Sequence, residues 1–299
     1  MALPIDELWP RAGNWAPPAG EADAVVLGVP TWRTSLSPTS AHETPAAVRE
    51  ALRRYSGATI GPAGGPAATD LTEALRIADA GDVPEPDGPE GEQRVRARVA
   101  ELRAASELVI ALGGDNSLTY PVAAGAGATG LITLDAHFDL RDGISNGSPV
   151  RRLVEEGGLD PRRIVQIGIA DFANSVAYAQ RAADWGITVI TLDEVRRRGL
   201  PAVIRDALAV VSGGPVHLDI DVDVCDRAVA PACPASVPGG LAAWELRALV
   251  RGIAASPDVH SADIAEVDAT ADAADGRTVR LAALCVLELL SGLAQRQRA

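Results

Sequence analysis

Apolar residues in this chain mostly come in short, nearly unbroken runs rather than in strict alternation with polar ones. Ala24–Val29, Leu108–Leu112, Leu131–Leu134, Ile164–Ile169, Thr188–Leu192, Val216–Ile220 and Ser261–Glu266 carry this pattern. It predicts strands covered on both faces, the signature of a parallel sheet. Between them lie alanine- and arginine-rich stretches with helical periodicity: Pro45–Tyr55, Glu90–Ala105, Val150–Glu156, Ser175–Trp185, Pro201–Val211, Ala242–Ala255 and Thr278–Gln295. Thr44 followed by Pro45 predicts a capped start for the first of these helices. The alternation reads as an α/β fold with a mostly parallel sheet and helices on both faces. No internal repeat is visible. Pro84–Gly91 and Gly57–Pro66 read as surface loops, so residues 1–299 are expected to form a single domain.

Two of the strand-like runs end in clustered acids. Gly130–Leu134 leads into Asp135-Ala-His137-Phe-Asp139, and Val216–Ile220 leads into Asp221-Val-Asp223-Val-Cys-Asp226, with Asp219 inside the run. In open α/β sheets ligands gather at the carboxyl ends of strands. Carboxylates this close raise one another's pKa, and a bound cation removes the conflict. Asp135 and His137 are two residues apart, as are Asp221 and Asp223, and past a strand end the turning backbone lets each pair converge. Oxygens with one imidazole suit Mn²⁺ or a similar ion, whereas zinc usually takes more histidine or cysteine. Carboxylates from two strand ends can also bridge two ions, which together activate a hydroxide. A third loop, Gly113-Gly-Asp115-Asn116-Ser117, follows Leu108–Leu112, its glycines allowing close approach of the backbone to a ligand.

Composition narrows the partners. The formal net charge is −13, which argues against nucleic acid and anionic membrane. All 27 basic residues are arginine, so Schiff-base chemistry and a Walker lysine are excluded. Three cysteines without CxxC spacing suggest a reducing compartment. Met1-Ala-Leu-Pro-Ile-Asp lacks the features of a signal peptide. Val279–Leu293, the most apolar late segment, reads as too short to span a bilayer and carries Arg280 and Glu288. A cytoplasmic enzyme is expected.

The motifs Gly113-Gly-Asp-Asn-Ser, Asp135-Ala-His-Phe-Asp139 and Asp221-Val-Asp-Val-Cys-Asp226 resemble, in order and spacing, those of the ureohydrolase superfamily of arginases, agmatinases and formiminoglutamases. Val26-Leu-Gly-Val-Pro30 is similar to that family's first strand, Asp79-Ala-Gly-Asp-Val83 to its following loop, and Ser261–Asp268 to its late glutamate-bearing strand. The resemblance spans about residues 24 to 290. It implies an arginase-like three-layer α/β/α sandwich, two Mn²⁺ ions, hydrolysis of guanidino or formimino carbon–nitrogen bonds, and homo-oligomers, often trimers or hexamers. It implies that Asp135 and Asp221 bridge the ions, that His137 and Asp223 complete one, and that Asp139 serves the other and handles the proton. Glu266 would grip the cationic nitrogen end of the substrate. The family usually has histidine where this chain has Asn116, whose neutral amide is a weaker ligand, so one ion is expected to be weak or absent.

The substrate clues divide. Ala136-His-Phe-Asp-Leu-Arg141, with the Gly-Ser-Pro loop after it, looks like formiminoglutamases, and Asn146 stands where other branches have a proton-shuttling histidine. Arg141 is suited to a substrate carboxylate, or else to a salt bridge with a neighbouring acid. Asp226 and Val237-Pro-Gly-Gly-Leu241 lean towards agmatinases. The leading expectation is formiminoglutamate hydrolysis to glutamate and formamide; the alternatives are an agmatinase or other guanidino hydrolase releasing urea, and a metal-poor pseudoenzyme of the same fold. His217 reads as a packed core histidine, His42 and His260 as surface or loop residues, and Cys225 as a small buried hydrophobe. Asp219 is expected to orient a ligand, and Asp272 and Asp275 to lie in a solvated loop.

Overall fold

The computed structural model of the chain describes residues 6–61 and 68–297. The first third holds β1 (Ala22–Val29), α1 (Thr44–Leu52), β2 (Ala58–Ile60), β3 (Ala68–Asp70), α2 (Leu71–Ala74), β4 (Ile77–Asp82) and α3 (Gly88–Ala104). Then come β5 (Ser106–Gly113), α4 (Thr119–Gly125), β6 (Gly130–Leu134), α5 (Pro149–Glu155), β7 (Ile164–Ile169) and α6 (Val176–Trp185). The last third holds β8 (Thr188–Thr191), α7 (Leu192–Arg198), α8 (Leu200–Val211), β9 (Val216–Asp221), α9 (Ala243–Ala254), β10 (Val259–Ala265) and α10 (Arg277–Arg296).

Eight strands form one sheet in the order β4-β1-β5-β10-β9-β6-β7-β8, every neighbouring pair parallel. Side chains of a strand alternate between its faces, and here both faces are covered. On β1, Ala24 and Val26 enter the core beneath α1, α8, α9 and α10, while Val25, Leu27 and Val29 enter the one beneath α3 and α4. On β5, Leu108, Ile110 and Leu112 go one way and Val109 and Ala111 the other. A third cluster closes the second face, joining Leu131, Ile164 and Ile169 to Val150 and Leu153 of α5 and Ala182 of α6. This is the three-layer α/β/α fold with a parallel sheet, and double burial explains the apolar runs.

Several local expectations need correcting. The helix at Pro45 begins at Thr44, whose hydroxyl donates to the Val267 carbonyl rather than capping; the preceding Glu43 makes no side-chain cap. Asp79–Val83, read as a loop, falls largely on β4. The strand expected over Thr188–Leu192 stops at Thr191, which opens α7 with a capping box to Glu194. The Pro84–Gly91 loop ends early, because α3 starts at Gly88. Gly57–Pro66 begins as β2, and its residues 62–66 lie outside the described residues, as does most of the stretch read for a signal peptide.

The Val279–Leu293 segment is part of a 20-residue helix, long and apolar enough to cross a membrane, but 78% of its apolar window is buried inside the protein. It packs on α9 and α1, and its sequestered Glu288 is held by Arg247 at 2.7 Å and Arg251 at 2.5 Å. Asp272 caps this helix, accepting from Thr278 Oγ1 at 2.8 Å and Val279 N at 2.9 Å. His260 lies on β10, half-buried rather than in a loop.

Candidate metal centre

The four central strands, β5, β10, β9 and β6, lie side by side, and each delivers residues at its carboxyl end. Leu134 of β6 pairs with Ile220 of β9, so the next residues, Asp135 and Asp221, emerge at one level. Ala265 of β10 pairs with Asp221, which sets Glu266 just above it. Beyond β5, the turn Asn116–Leu118 brings Asn116 to the same edge. Glycine is required twice here. A Cβ on Gly114 (φ 42°) would lie 2.5 Å from the Thr31 backbone, and one on Gly168 (φ 103°) would collide with Val224 behind Asp135.

The two-residue spacing works through a local turn repeated at two strand ends. Asp135 Oδ1 accepts the His137 backbone N–H at 2.6 Å, and Asp221 Oδ1 accepts that of Asp223 at 2.8 Å. Each aspartate thus folds the chain back so that the side chain two residues on returns beside it. Two groups of ligand atoms result, each with members within 4.8 Å of one another: Asp135, His137 and Asp223, and Asp135, Asp139 and Asp221. Asp135 belongs to both. His137 Nδ1 lies 3.0 Å from Asp223 Oδ2 and 3.5 Å from Asp135 Oδ1.

The electrostatics favour a cation. Burial and the charge of Asp223 raise Asp135 to about 6. Burial and neighbouring carboxylates push Asp139 and Asp221 well above the usual range. Burial, with Asp115 nearby, raises Glu266 to about 8. Burial opposes a charged His137, yet the charge of Asp223 pushes it up to about 12, and against the same burial His137 lowers Asp223. Asp135 Oδ2 is buried with no partner among the described residues. An unsatisfied carboxylate oxygen among clustered acids and one imidazole fits a divalent ion. Asp139 and Glu266 both take positive φ, 52° and 63°, strained backbone of the kind that collects at functional sites.

Around these groups, polar contacts fix the acids. Glu266 Oε1 accepts from Asn116 N at 2.7 Å and Asn146 Nδ2 at 2.8 Å, and Asn146 Oδ1 accepts from Leu36 N at 3.0 Å. Asn116 Nδ2 donates to Asp139 Oδ2 at 2.7 Å. His137, Asp139, Asp221, Asp223 and Glu266 line the wall of a cavity of about 670 Å³. The chain's two phenylalanines, Phe138 and Phe172, both border it, as does Arg141. The Arg141 guanidinium has no hydrogen bond or ion pair among the described residues; it is Arg181 that pairs with Asp142, at 2.8 Å.

Asn174, which no motif singled out, staples the loop that carries His137 and Asp139. It accepts from Phe138 N at 3.0 Å and donates to Ala136 O at 2.8 Å, holding the peptide groups on either side of His137. Its one sequence signal is a place just past β7, beside β6. Other candidates stand apart. His217 is fully buried, bonded to Ser261 at 2.8 Å and Asp263 at 3.0 Å. Asp219, opposite Asp263 in register, has no hydrogen-bond partner among the described residues and so does not orient a neighbouring acid as expected, and burial and the Asp263 charge keep its carboxyl well above the usual range. Cys225 is buried, and burial raises its thiol. His42 stacks on Trp32 at 4.7 Å.

A parallel α/β sheet with an Asp/His centre at its carboxyl edge defines a class, and comparison with known proteins gives it a family. Residues 22–292 match the arginase family, and the chain belongs to it; its members are metal-dependent hydrolases of amidino and guanidino carbon–nitrogen bonds. The chain is 34% identical over 282 residues to a formimidoylglutamase of Bacillus subtilis, covering 90% of this chain and 86% of that one. It is 35% identical over 234 residues to a guanidinopropionase of Pseudomonas aeruginosa, covering 75% and 73%. Among solved structures, the Bacillus subtilis formimidoylglutamase superposes with a TM-score of 0.89 at 30% identity, covering 98% of this chain and 94% of that one. A Trypanosoma cruzi formiminoglutamase with Mn²⁺ gives 0.83 at 25% identity, covering 96% and 99%.

Proposed function

We propose that this protein hydrolyses formiminoglutamate to glutamate and formamide, using two Mn²⁺ ions. The observation that carries the metal reading is the pair of interlocked ligand groups sharing Asp135. Asp135 would serve both sites, His137 and Asp223 would complete one, and Asp139 and Asp221 the other; Asn116, expected as a weak ligand, instead has its amide engaged by Asp139 and Thr119 and stands behind Asp139. The ions would supply Lewis acidity and a water of lowered pKa.

The rest of the chemistry falls to the chain. Glu266 presents Oε2 to the amidine nitrogens, its Oε1 being already engaged, and a carboxylate facing an amidinium makes a charge-assisted hydrogen bond. Asp139 takes a proton from the attacking water as the carbon–oxygen bond forms and returns it to the glutamate nitrogen as the carbon–nitrogen bond breaks. Arg141, beside the cavity and without an ion pair among the described residues, meets a substrate carboxylate, and formiminoglutamate has two. The relatives named formimidoylglutamase support this choice.

A guanidino acid is the second reading. It carries a carboxylate for Arg141, and a guanidinopropionase is among the relatives. Agmatine, with a cationic tail, fits this wall less well. Assay of formiminoglutamate, 3-guanidinopropionate and agmatine with Mn²⁺, reading formamide and urea, separates the three. Formamide from formiminoglutamate is expected, and urea without formamide would overturn the assignment. A single catalytic domain, assembled as a homo-oligomer in the cytoplasm, completes the proposal; three free, buried cysteines are consistent with a reducing compartment.

A further inference from the structure

Asn116 opens a 3₁₀ turn, and in that geometry side chains three residues apart eclipse. Thr119 therefore comes back over Asn116. It is completely buried, and its Oγ1 donates to Asn116 Oδ1 at 2.6 Å while its backbone N–H donates to the Asn116 carbonyl. The other end of the amide donates to Asp139 Oδ2 at 2.7 Å. These contacts have one self-consistent direction. The amide NH₂ faces Asp139 and its oxygen faces the threonine hydroxyl, the arrangement that a cation-bound, ionised Asp139, which only accepts, requires. Asp139 is in turn a member of the group Asp135–Asp139–Asp221, and only of that group.

We propose that Thr119 is a positioning residue for one of the two ion sites: acting through Asn116, it fixes the carboxylate of Asp139 against Asp135 and Asp221. The inference rests on the two-ion reading above. Without the hydroxyl, the Asn116 oxygen has no fixed donor, the amide is free to turn, and Asp139 loses its anchor. The site built on His137 and Asp223 has its own supports, the turns from Asp135 and Asp221 and the Asn174 staple. The loss is therefore selective.

The test is calorimetric titration of the metal-free, full-length chain with Mn²⁺, as wild type, Thr119→Val and Thr119→Ser. The wild type is expected to bind two ions, the one at Asp139 more weakly, since Asn116 stands where the family usually has histidine. Thr119→Val is expected to weaken one of them about tenfold or more, the usual range for losing an outer hydrogen bond to a ligand, and to leave the other within about twofold. Thr119→Ser, which keeps the hydroxyl, is expected to restore both. Thr119→Cys retains the volume with a weak donor and is expected to show the same selective loss to a smaller degree, should the valine variant not fold. Unchanged affinities in the valine and cysteine variants, an equal loss at both sites, or a serine variant as weak as the valine one would overturn the inference while leaving the two-ion reading intact. A wild type that binds fewer than two ions would overturn that reading and the inference with it.

Discussion

Replacing Asp135 with asparagine tests the electrostatics of the centre with little change of shape. In the metal-free fold this carboxylate sits beside Asp223 and Asp139, fully buried, with Oδ2 unpartnered. Its rise from 3.8 to about 6, at about 1.4 kcal/mol per pH unit, means that ionising it at neutral pH costs the fold about 3 kcal/mol. Asparagine removes that cost. Its NH₂ takes the place of the unpartnered Oδ2, and an imperfectly satisfied buried donor returns about 1 kcal/mol. The net gain of about 2 kcal/mol corresponds to a rise in Tm of roughly 4 °C for a chain of this size. The sign depends on pH. A carboxyl whose folded pKa is raised destabilises the fold only above its unfolded value, so the gain fades towards pH 4 and is complete above about pH 7. With Mn²⁺ the order inverts, because the shared ligand is gone. Thermal unfolding in EDTA and in excess Mn²⁺, at pH 4.5 and 7.5, reads both effects. A metal-free Asp135→Asn protein less stable than wild type at pH 7.5, or one still stabilised by Mn²⁺ as much as wild type, would refute the reasoning.

Other consequences follow from the same geometry. Arg141→Met should raise KM for formiminoglutamate about tenfold to a hundredfold, the worth of one charge-assisted contact, with kcat nearly unchanged; steady-state kinetics giving an unaltered KM would remove Arg141 from the site. Asn174→Ala loses the bonds that flank His137 and should cost about 2–3 kcal/mol in urea unfolding and about tenfold in Mn²⁺ affinity; wild-type affinity would make the staple irrelevant to the metal. Burial lifts the Glu266 carboxyl from 4.5 to about 8, so the metal-free fold holds a proton that the unfolded chain has released, and metal-free stability should fall as pH rises through that window. Denaturation showing stability rising between pH 5 and 8 would contradict this.

Much of the fold was legible because its central strands are buried on both faces: β5, β6, β7 and β9 read as apolar runs with nearly correct limits. The edge strand β4, Ile77-Ala-Asp-Ala-Gly-Asp82, was not, since its acids look like a loop until Asp79 and Asp82 are seen paired with Arg49. Helix α4 hid behind Pro121 and the glycines at its end. At the site, acids just past apolar runs marked the groups that could hold a metal, because strand ends and turn chemistry are local. Asn174 and Thr119 were invisible as functional residues for the opposite reason. Asn174 touches a loop 36 residues away, and the value of Thr119 lies in the direction of a single amide, which spacing does not encode.

The proposed chemistry depends on carboxylates from β6 and β9 meeting around shared ions. Anomalous diffraction at the manganese edge, from crystals grown with Mn²⁺, addresses this directly. Two peaks about 3.5–4 Å apart, flanked by the carboxylates of Asp135 and Asp221, are the expected result. Peaks elsewhere, or none at that sheet edge in fully supplemented crystals, would contradict it.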